Sequence, residues 1–295
     1  MATSENPPDS LPTNWGRWGE NDEKGTLHHI TAAARLRGVT EAREGRVVPL
    51  GRPVSPVLLS GGGPTAHGSA AMPSPVLQVV NTGVPAKAVT DVLVLNTHHV
   101  GMTHIDAVAH IPFDGHVYPG VPLAEAVAGG TVRHGGTGAF TDGILTRGVL
   151  LDLAPGDRLS PGHQVTGRDL TDAETRAGVR VEPGDALVVR AGWSQLNDPS
   201  GSLPAVSLDA VAWMAEREVG LYAGDIGDRP PAPGTPLPLH QVALARLGMP
   251  IIDCAEVTDL ADTCRRLGRF SFLFVAAVPA IQGASGLPVN PLAVF

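Results

Sequence analysis

Apolar residues along this chain fall into two kinds of run, and their spacing predicts a mixed α/β protein. Short unbroken runs bounded by turn residues read as strands: RVVPLGRPVSP (46–56), DVLVLNTHH (91–99), RGVLLDLA (147–154), DALVVRAGW (185–193), VGLYAGDIG (219–227), MPIIDCAE (249–256) and FSFLFVAAVPA (270–280). The runs at 147–154 and 185–193, flanked by Gly and without polar alternation, suit strands buried on both faces. Three further stretches, ITAAARLRGVTEAREG (30–45), LDAVAWMAERE (208–218) and HQVALARLG (240–248), have helical composition, the first ending at Gly45 and the last at Gly248.

No internal repeat or linker divides the pattern, so residues 14–295 are expected to form one domain behind a flexible, polar and Pro-rich N-terminal arm of residues 1–13. Trp15 and Trp18 follow that arm and supply aromatic surface for packing or for substrate. The stretch LLSGGGPTAHGSAAMPSP (58–75) reads as a long loop, a substrate-covering lid or a plain connection, and its His67 is given no role.

Composition narrows the picture. With 295 residues and 43% hydrophobic content the chain can bury a full core, and with only 4% aromatics against 36 Gly and 27 Pro that core must be aliphatic and divided by tight turns. A net charge of -8 and a pI near 5.7, without a run of Lys or Arg, exclude a nucleic-acid or anionic-membrane footprint and leave a small-molecule substrate. Two cysteines form no disulfide framework, the N-terminus lacks an apolar leader, and the longest apolar stretch (270–281) is shorter than the ~20 residues of a membrane span. A cytoplasmic protein is expected.

The candidate chemistry begins at HHVGMTHIDAVAH (98–110), which holds four of the eleven histidines and one aspartate. A single histidine of this kind is more often a satisfied polar residue, but the cluster has the makeup of a ligand set for Zn²⁺ or Mn²⁺. His104 and Asp106 are two apart and share one side of an extended segment; Asp106 and His110 are four apart and share one face of a helical turn. A bend from strand into helix would bring all three together. Further ligands must come from elsewhere, and His240, opening a helix, with Asp253, ending the next strand, is the best pair; Glu256 is a weaker competitor. At other strand ends Arg190 and Trp193 are candidates for substrate binding, and Asp225 for a place beside the site. No G-x-S-x-G, P-loop or dinucleotide fingerprint accompanies them.

These blocks resemble the cyclase family of metal-dependent hydrolases, the group that includes bacterial kynurenine formamidase and isatin hydrolase. The resemblance is carried by NWGRWGENDEKGTLHHIT (14–31), THIDAVAH (103–110), RGVLLDLA with PGDALVVRAGW, and HQVALARLGMPIID with SGLPVNPLAV. It implies a swivelling β/β/α-type α/β domain with a mixed sheet, a homodimer or homotetramer, and a divalent metal ion. The family pattern H-x-G-T-H-x-D-x-x-x-H implies metal binding by His104 and Asp106, with His110 as base or second-metal ligand and His240 completing the site. Two departures stand out. Val100 occupies the place of the first histidine, so that ligand comes from His98 or His99 through an altered turn, or is missing, and Asp253 stands where the family usually has Glu. The expected activity is hydrolysis of a C–N or C–O bond in a small amide, lactam or lactone, as in arylformamidases. The alternatives are a lyase or cyclase acting on a secondary-metabolite intermediate, and a metal-poor relative that binds a ligand without turnover.

Overall fold

The structure, a computed structural model, describes residues 11–58, 74–194, 203–229 and 233–295. Most of the expected arm (1–10) and most of the long loop, with His67 (59–73), lie outside the described residues.

A nine-stranded mixed sheet organises the molecule. Its strands are β1 (Val47–Pro49), β2 (His104–Asp106), β3 (Ile144–Asp152), β4 (Ala186–Arg190), β5 (Leu221–Gly224), β6 (Ile251–Asp253), β7 (Ser271–Ala276), β8 (Gly286–Pro288) and β9 (Leu292–Val294). They lie side by side in the order β1-β9-β7-β3-β4-β5-β6-β2-β8. The central strands β3 to β6 are parallel, and β2, β7, β8 and β9 join them by antiparallel ladders.

The alternation of side chains across the pleat explains why the central runs are apolar at every position. Val149, Leu151, Leu187 and Val189 enter one core, against the helices Gly167–Ala177 and Leu208–Glu216 and the segment Pro238–Arg246. Leu150, Ala186, Val188 and Ile252 enter the other, against Phe272, Phe274 and the helix Thr258–Leu267. Both faces of the sheet are therefore covered.

Several expected elements have different bounds, each for a local reason. The first strand stops at Pro49 because Pro49, Pro53 and Pro56 offer no ladder N–H. The first helix spans Ala32–Val39 and stops well before Gly45: Gly38 and Val39 are weak helix formers, and the Thr40 hydroxyl donates back to the Arg37 carbonyl at 2.7 Å. The stretch from His240 belongs to a π-helix, Pro238–Arg246. Its last carbonyls are met by the N-terminal segment: Asn14 donates to Leu247 O and Trp15 Nε1 to Ala245 O, at 2.9 and 2.8 Å. Among the described residues no helix is long and apolar enough to cross a membrane.

Candidate metal centre

Strand β2 carries the site because of its register. Its antiparallel ladders place His104 opposite Asp253 of β6 and Asp106 opposite Gly286 of β8. Residues two apart, and residues directly opposite, share a face of a sheet. His104, Asp106 and Asp253 therefore point the same way, while Ile105 and Ile252 turn into the apolar core. After Asp106 the chain makes a tight turn rather than the expected helix, closed by the His110 N–H on the Ala107 carbonyl at 2.9 Å.

The chain enters β2 through the turn that holds His98 and His99. His98 reaches the cluster: its Nδ1 is 2.9 Å from Asp106 Oδ1, and its ring stacks on His110 at 3.6 Å between centroids. His99 belongs to neither of the ligand groups the structure forms, and its Nδ1 accepts from the Gly101 N–H at 2.9 Å. The bare Cα of Gly286 makes room for His98, since a Cβ there would stand 2.6 Å from the imidazole Cε1.

Two triads share Asp106: His98, His104 and Asp106, and Asp106, His110 and His240. His104 Nε2 is 3.5 Å from Asp106 Oδ1, and His240 Nε2 is 3.5 Å from Asp106 Oδ2 and 3.4 Å from Asp253 Oδ2. Ligand atoms arranged tetrahedrally at ~2.0–2.1 Å from one ion stand ~3.3 Å from each other, so these spacings are those of donors around a common cation.

The polar atoms of the cluster are prepared for such an ion and otherwise unprovided for. His98 Nδ1, both oxygens of Asp106 and Asp253 Oδ1 are buried without a hydrogen-bond partner among the described residues. The short His98–Asp106 approach is thus proximity without hydrogen-bond alignment. The outward nitrogens, by contrast, are held. His104 Nδ1 donates to the Met102 carbonyl at 2.8 Å, His98 Nε2 meets Ser285 Oγ at 2.9 Å, and His240 Nδ1 donates to Asp228 Oδ2 at 2.9 Å. Fixing one ring nitrogen turns the other toward the cluster. Buried polar groups left unpaired cost free energy, so four in one place mark a ligand site. The donor set fits a divalent cation.

Charge within the cluster follows from the same crowding. Burial opposes ionisation of Asp106, but the imidazoles around it, His240 and His98 foremost, hold its carboxyl well below the usual range. Burial pushes His110 down to about 4, with its neighbouring imidazoles adding to the shift and Asp106 resisting it, so its ring is neutral at pH 7. His240 runs the other way: burial is outweighed by Asp106, Asp228 and Asp253, which raise it well above the ordinary histidine value.

The remaining candidates occupy other surroundings. Arg190 is spent on protein partners, donating to Asp152 Oδ1, Ala154 O and Asp157 O at 2.9, 2.8 and 3.1 Å. Asp225 accepts the backbone N–H groups of Ala191, Gly192 and Trp193, and burial still pushes it up to about 6. Trp193 donates to Leu159 O and lies under Arg158. With Glu256, these residues line a cavity of about 300 Å³ at the carboxyl ends of the parallel strands. Trp15 packs on Arg246 of the π-helix, and Trp18 stacks on His28.

Asp228 joins the site without a motif of its own. Its two oxygens accept the Leu239 and His240 N–H groups at 2.8 and 2.9 Å, capping the π-helix while orienting the His240 ring. It sits in no recognisable motif, and its only signal is the second carboxylate in AGDIGD. Ser285, the partner of His98, opens the block SGLPVNPLAV, but nothing in that block marks it as a site residue.

Residues 25–228 match the family model named Cyclase, which spans well over half of the chain. The chain belongs to the cyclase family. Among solved structures, one described as a novel cyclase is similar with a TM-score of 0.80 and 27% identity, over 97% of this chain and 100% of its own. Isatin hydrolase A from Ralstonia solanacearum is similar with a TM-score of 0.57 and 19% identity, over 84% of this chain and 91% of its own. An isatin hydrolase bound to the product analogue thioisatinate is similar with a TM-score of 0.58 and 16% identity, over 90% of this chain and 99% of its own. The two isatin hydrolases share the fold. No curated protein matches the chain.

Proposed function

We propose that this chain is a metal-dependent hydrolase that cleaves a C–N or C–O bond in a small amide, lactam or lactone. The observation that carries the reading is the buried set of unpaired ligand atoms around Asp106, which no protein partner satisfies among the described residues. His98, His104 and Asp106 would hold one divalent ion, Zn²⁺ or Mn²⁺, and His240 and Asp253 close the other side of the Asp106 carboxylate. His98, two residues before Val100 and 2.9 Å from Asp106 Oδ1, would supply the ligand missing at Val100, which speaks against a metal-poor relative.

A bound divalent ion would supply Lewis acidity at this place, lowering the pKa of water toward ~7 and polarising a carbonyl. The protein contributes the proton traffic. His110 is neutral at pH 7, stacked flat against His98 and beside His240, and can take a proton from an attacking water. It then returns that proton to the leaving nitrogen or oxygen, the double task to which imidazole is suited. Asp228 keeps His240 in one tautomer and ring orientation throughout. The cavity lined by Arg190, Trp193, Asp225 and Glu256, at the same end of the parallel strands, would take the body of the substrate.

The test is metal quantification on the purified protein, followed by a screen of aryl formamides, cyclic imides and lactones with and without chelator. The reading calls for about one or two ions per chain and chelator-sensitive hydrolysis with oxygen from labelled water in the product. Turnover without that oxygen would instead establish a lyase or cyclase.

A further inference from the structure

A half-buried guanidinium beside the metal centre, that of Arg52, has no counter-charge among the described residues. Arg52 follows β1, and its backbone is fixed against residues that flank two of the candidate ligands. Its N–H donates to Thr103 Oγ1 at 2.9 Å, and Thr103 Oγ1 donates to the Cys254 carbonyl at 2.7 Å. Thr103 precedes His104, and Cys254 follows Asp253. Burial and Asp253 push the Cys254 thiol up while the Arg52 charge opposes them, so that charge is within electrostatic reach of the centre. The side chain leads the other way. Its Nη1 donates at 3.1 Å to the Oγ of Ser194, which lines the cavity of about 300 Å³. Arg52 thus bridges the metal centre and the space assigned to the body of the substrate.

The other arginines drawn into the protein are paired. Arg37, Arg147, Arg190, Arg217 and Arg269 each reach a carboxylate at 3.2 Å or less. Arg37 and Arg217 leave Nε without a partner, as Arg52 does, but their charge is met through Nη2. With Nη1 spent on Ser194, the edge that Arg52 keeps free is Nε with Nη2. The same edge of Arg147 grips Asp185 at 2.6–3.1 Å. A charged donor left buried and unpaired is costly, and a planar fork of two N–H groups matches the two oxygens of a carboxylate. The remaining charges on the cavity wall are held by protein partners. Arg190 pairs with Asp152, Asp225 accepts three backbone N–H groups, Glu256 Oε1 accepts the Thr258 N–H at 3.3 Å, and the Arg158 guanidinium lies over Trp193.

We propose that Arg52 anchors a carboxylate on the substrate, so that the small amide, lactam or lactone cleaved here carries a negative charge away from its scissile bond. The bond that is cut rests on the hydrolase reading above, whereas the anion site stands on the free edge of Arg52. On a chain of net charge -8, an anion is captured by a local cation of this kind and not by the field of the whole protein. Because Arg52 lies between the metal centre and the cavity, a carboxylate held there fixes which end of the substrate faces Asp106.

Calorimetric titration of the metal-free, full-length protein with benzoate, and with benzamide as its neutral counterpart, tests the site without an ion or turnover. The wild type is expected to bind benzoate ~10–100-fold more tightly than benzamide; Arg52→Gln should lose that preference and Arg158→Gln keep it. Equal affinities in the wild type overturn the proposal, as does a preference that survives Arg52→Gln or vanishes in Arg158→Gln. If Arg52→Gln does not fold, the wild type alone decides through phenylglyoxal labelling of Arg52, read by peptide mass spectrometry. Saturating benzoate should slow that labelling ~10-fold or more and benzamide should not, and labelling indifferent to benzoate excludes Arg52. With the ion restored, formanilides bearing a ring carboxylate should show a lower KM than formanilide, and Arg52→Gln should raise that KM with little change in kcat. A KM indifferent to the ring carboxylate also overturns the proposal. Benzoate bound through Arg52, with no hydrolysis of any amide or lactone, would refute the hydrolase reading and uphold the anion site.

Discussion

Two aspartates, Asp106 and Asp185, are fully withdrawn from solvent, and they are held in opposite ways. Asp185 is saturated: Arg147 donates to both its oxygens through Nε and Nη2, Arg37 donates at 2.9 Å, and the Glu182 N–H adds another bond. Asp106 is surrounded by imidazoles at 2.9–3.5 Å and accepts no aligned hydrogen bond on either oxygen. The first is a closed structural ion pair whose function is finished when the chain folds. The second is left open at a cost in stability, which a fold retains where a ligand completes the set.

The largest effect should come from removing the open carboxylate. Asp106→Ala is expected to bring metal content to background and to lower kcat/KM at least ~10³-fold, about 4 kcal/mol of transition-state stabilisation, while the metal-free protein melts close to the metal-free wild type. Mass spectrometry of bound metal, kinetics and thermal melts read the three quantities. Asp185→Ala inverts the pattern. It strands the buried Arg147 guanidinium and should cost ~3–5 kcal/mol in urea unfolding, with metal stoichiometry unchanged in the folded fraction.

Within the open site, His110→Ala separates proton transfer from ligand holding. A fall in kcat of ~10²–10⁴ is expected, with metal retained by His98, His104 and Asp106, and equal activity in the variant would remove His110 from the mechanism. A smaller effect is expected for Asp228→Asn, which keeps an acceptor but loses the charge that orients His240. Metal affinity should weaken ~10–100-fold by competition with a chromophoric chelator, without loss of fold.

The smallest effect lies between the two extremes, at Asp225, buried but bonded to three backbone N–H groups. Burial raises its pKa from 3.8 to about 6, so the folded state favours the neutral carboxyl. That contribution is complete below pH 3.8 and is lost as pH rises through 6. Relative to Asp225→Asn, the wild type should therefore gain about 1 kcal/mol between pH 7 and pH 5 in urea melts. A pH-independent difference would show that the three N–H donors keep Asp225 ionised.

The apolar runs were legible in the sequence because a sheet buried on both faces demands them: β4, β5, β6 and β7 fall within expected segments, while β3 begins at Ile144, three residues before the segment expected for it. The helix Gly167–Ala177 has no apolar run to announce it, although its limits are written locally, in the Thr166 and Asp169 capping box and in Gly178 at φ 62°. Its polar outer face hid the Leu170 and Ala173 stripe. At the site, the motif gave His104, Asp106 and His110, but the choice between His98 and His99 depends on a turn whose geometry Gly286 permits from nearly two hundred residues away. The pairing of His104 with Asp253 is a matter of ladder register, and the capping of the π-helix by Asp228 one of tertiary approach. Neither leaves a periodic trace along the chain.

Anomalous diffraction from crystals grown with Zn²⁺ and recorded on both sides of the zinc edge would show whether an ion sits at Asp106. The account calls for a peak between His98 Nδ1, His104 Nε2 and Asp106 Oδ1, at ~2.0–2.2 Å from each. A map with no peak there, or with the ion bound elsewhere while Asp106 stays unliganded, would contradict it.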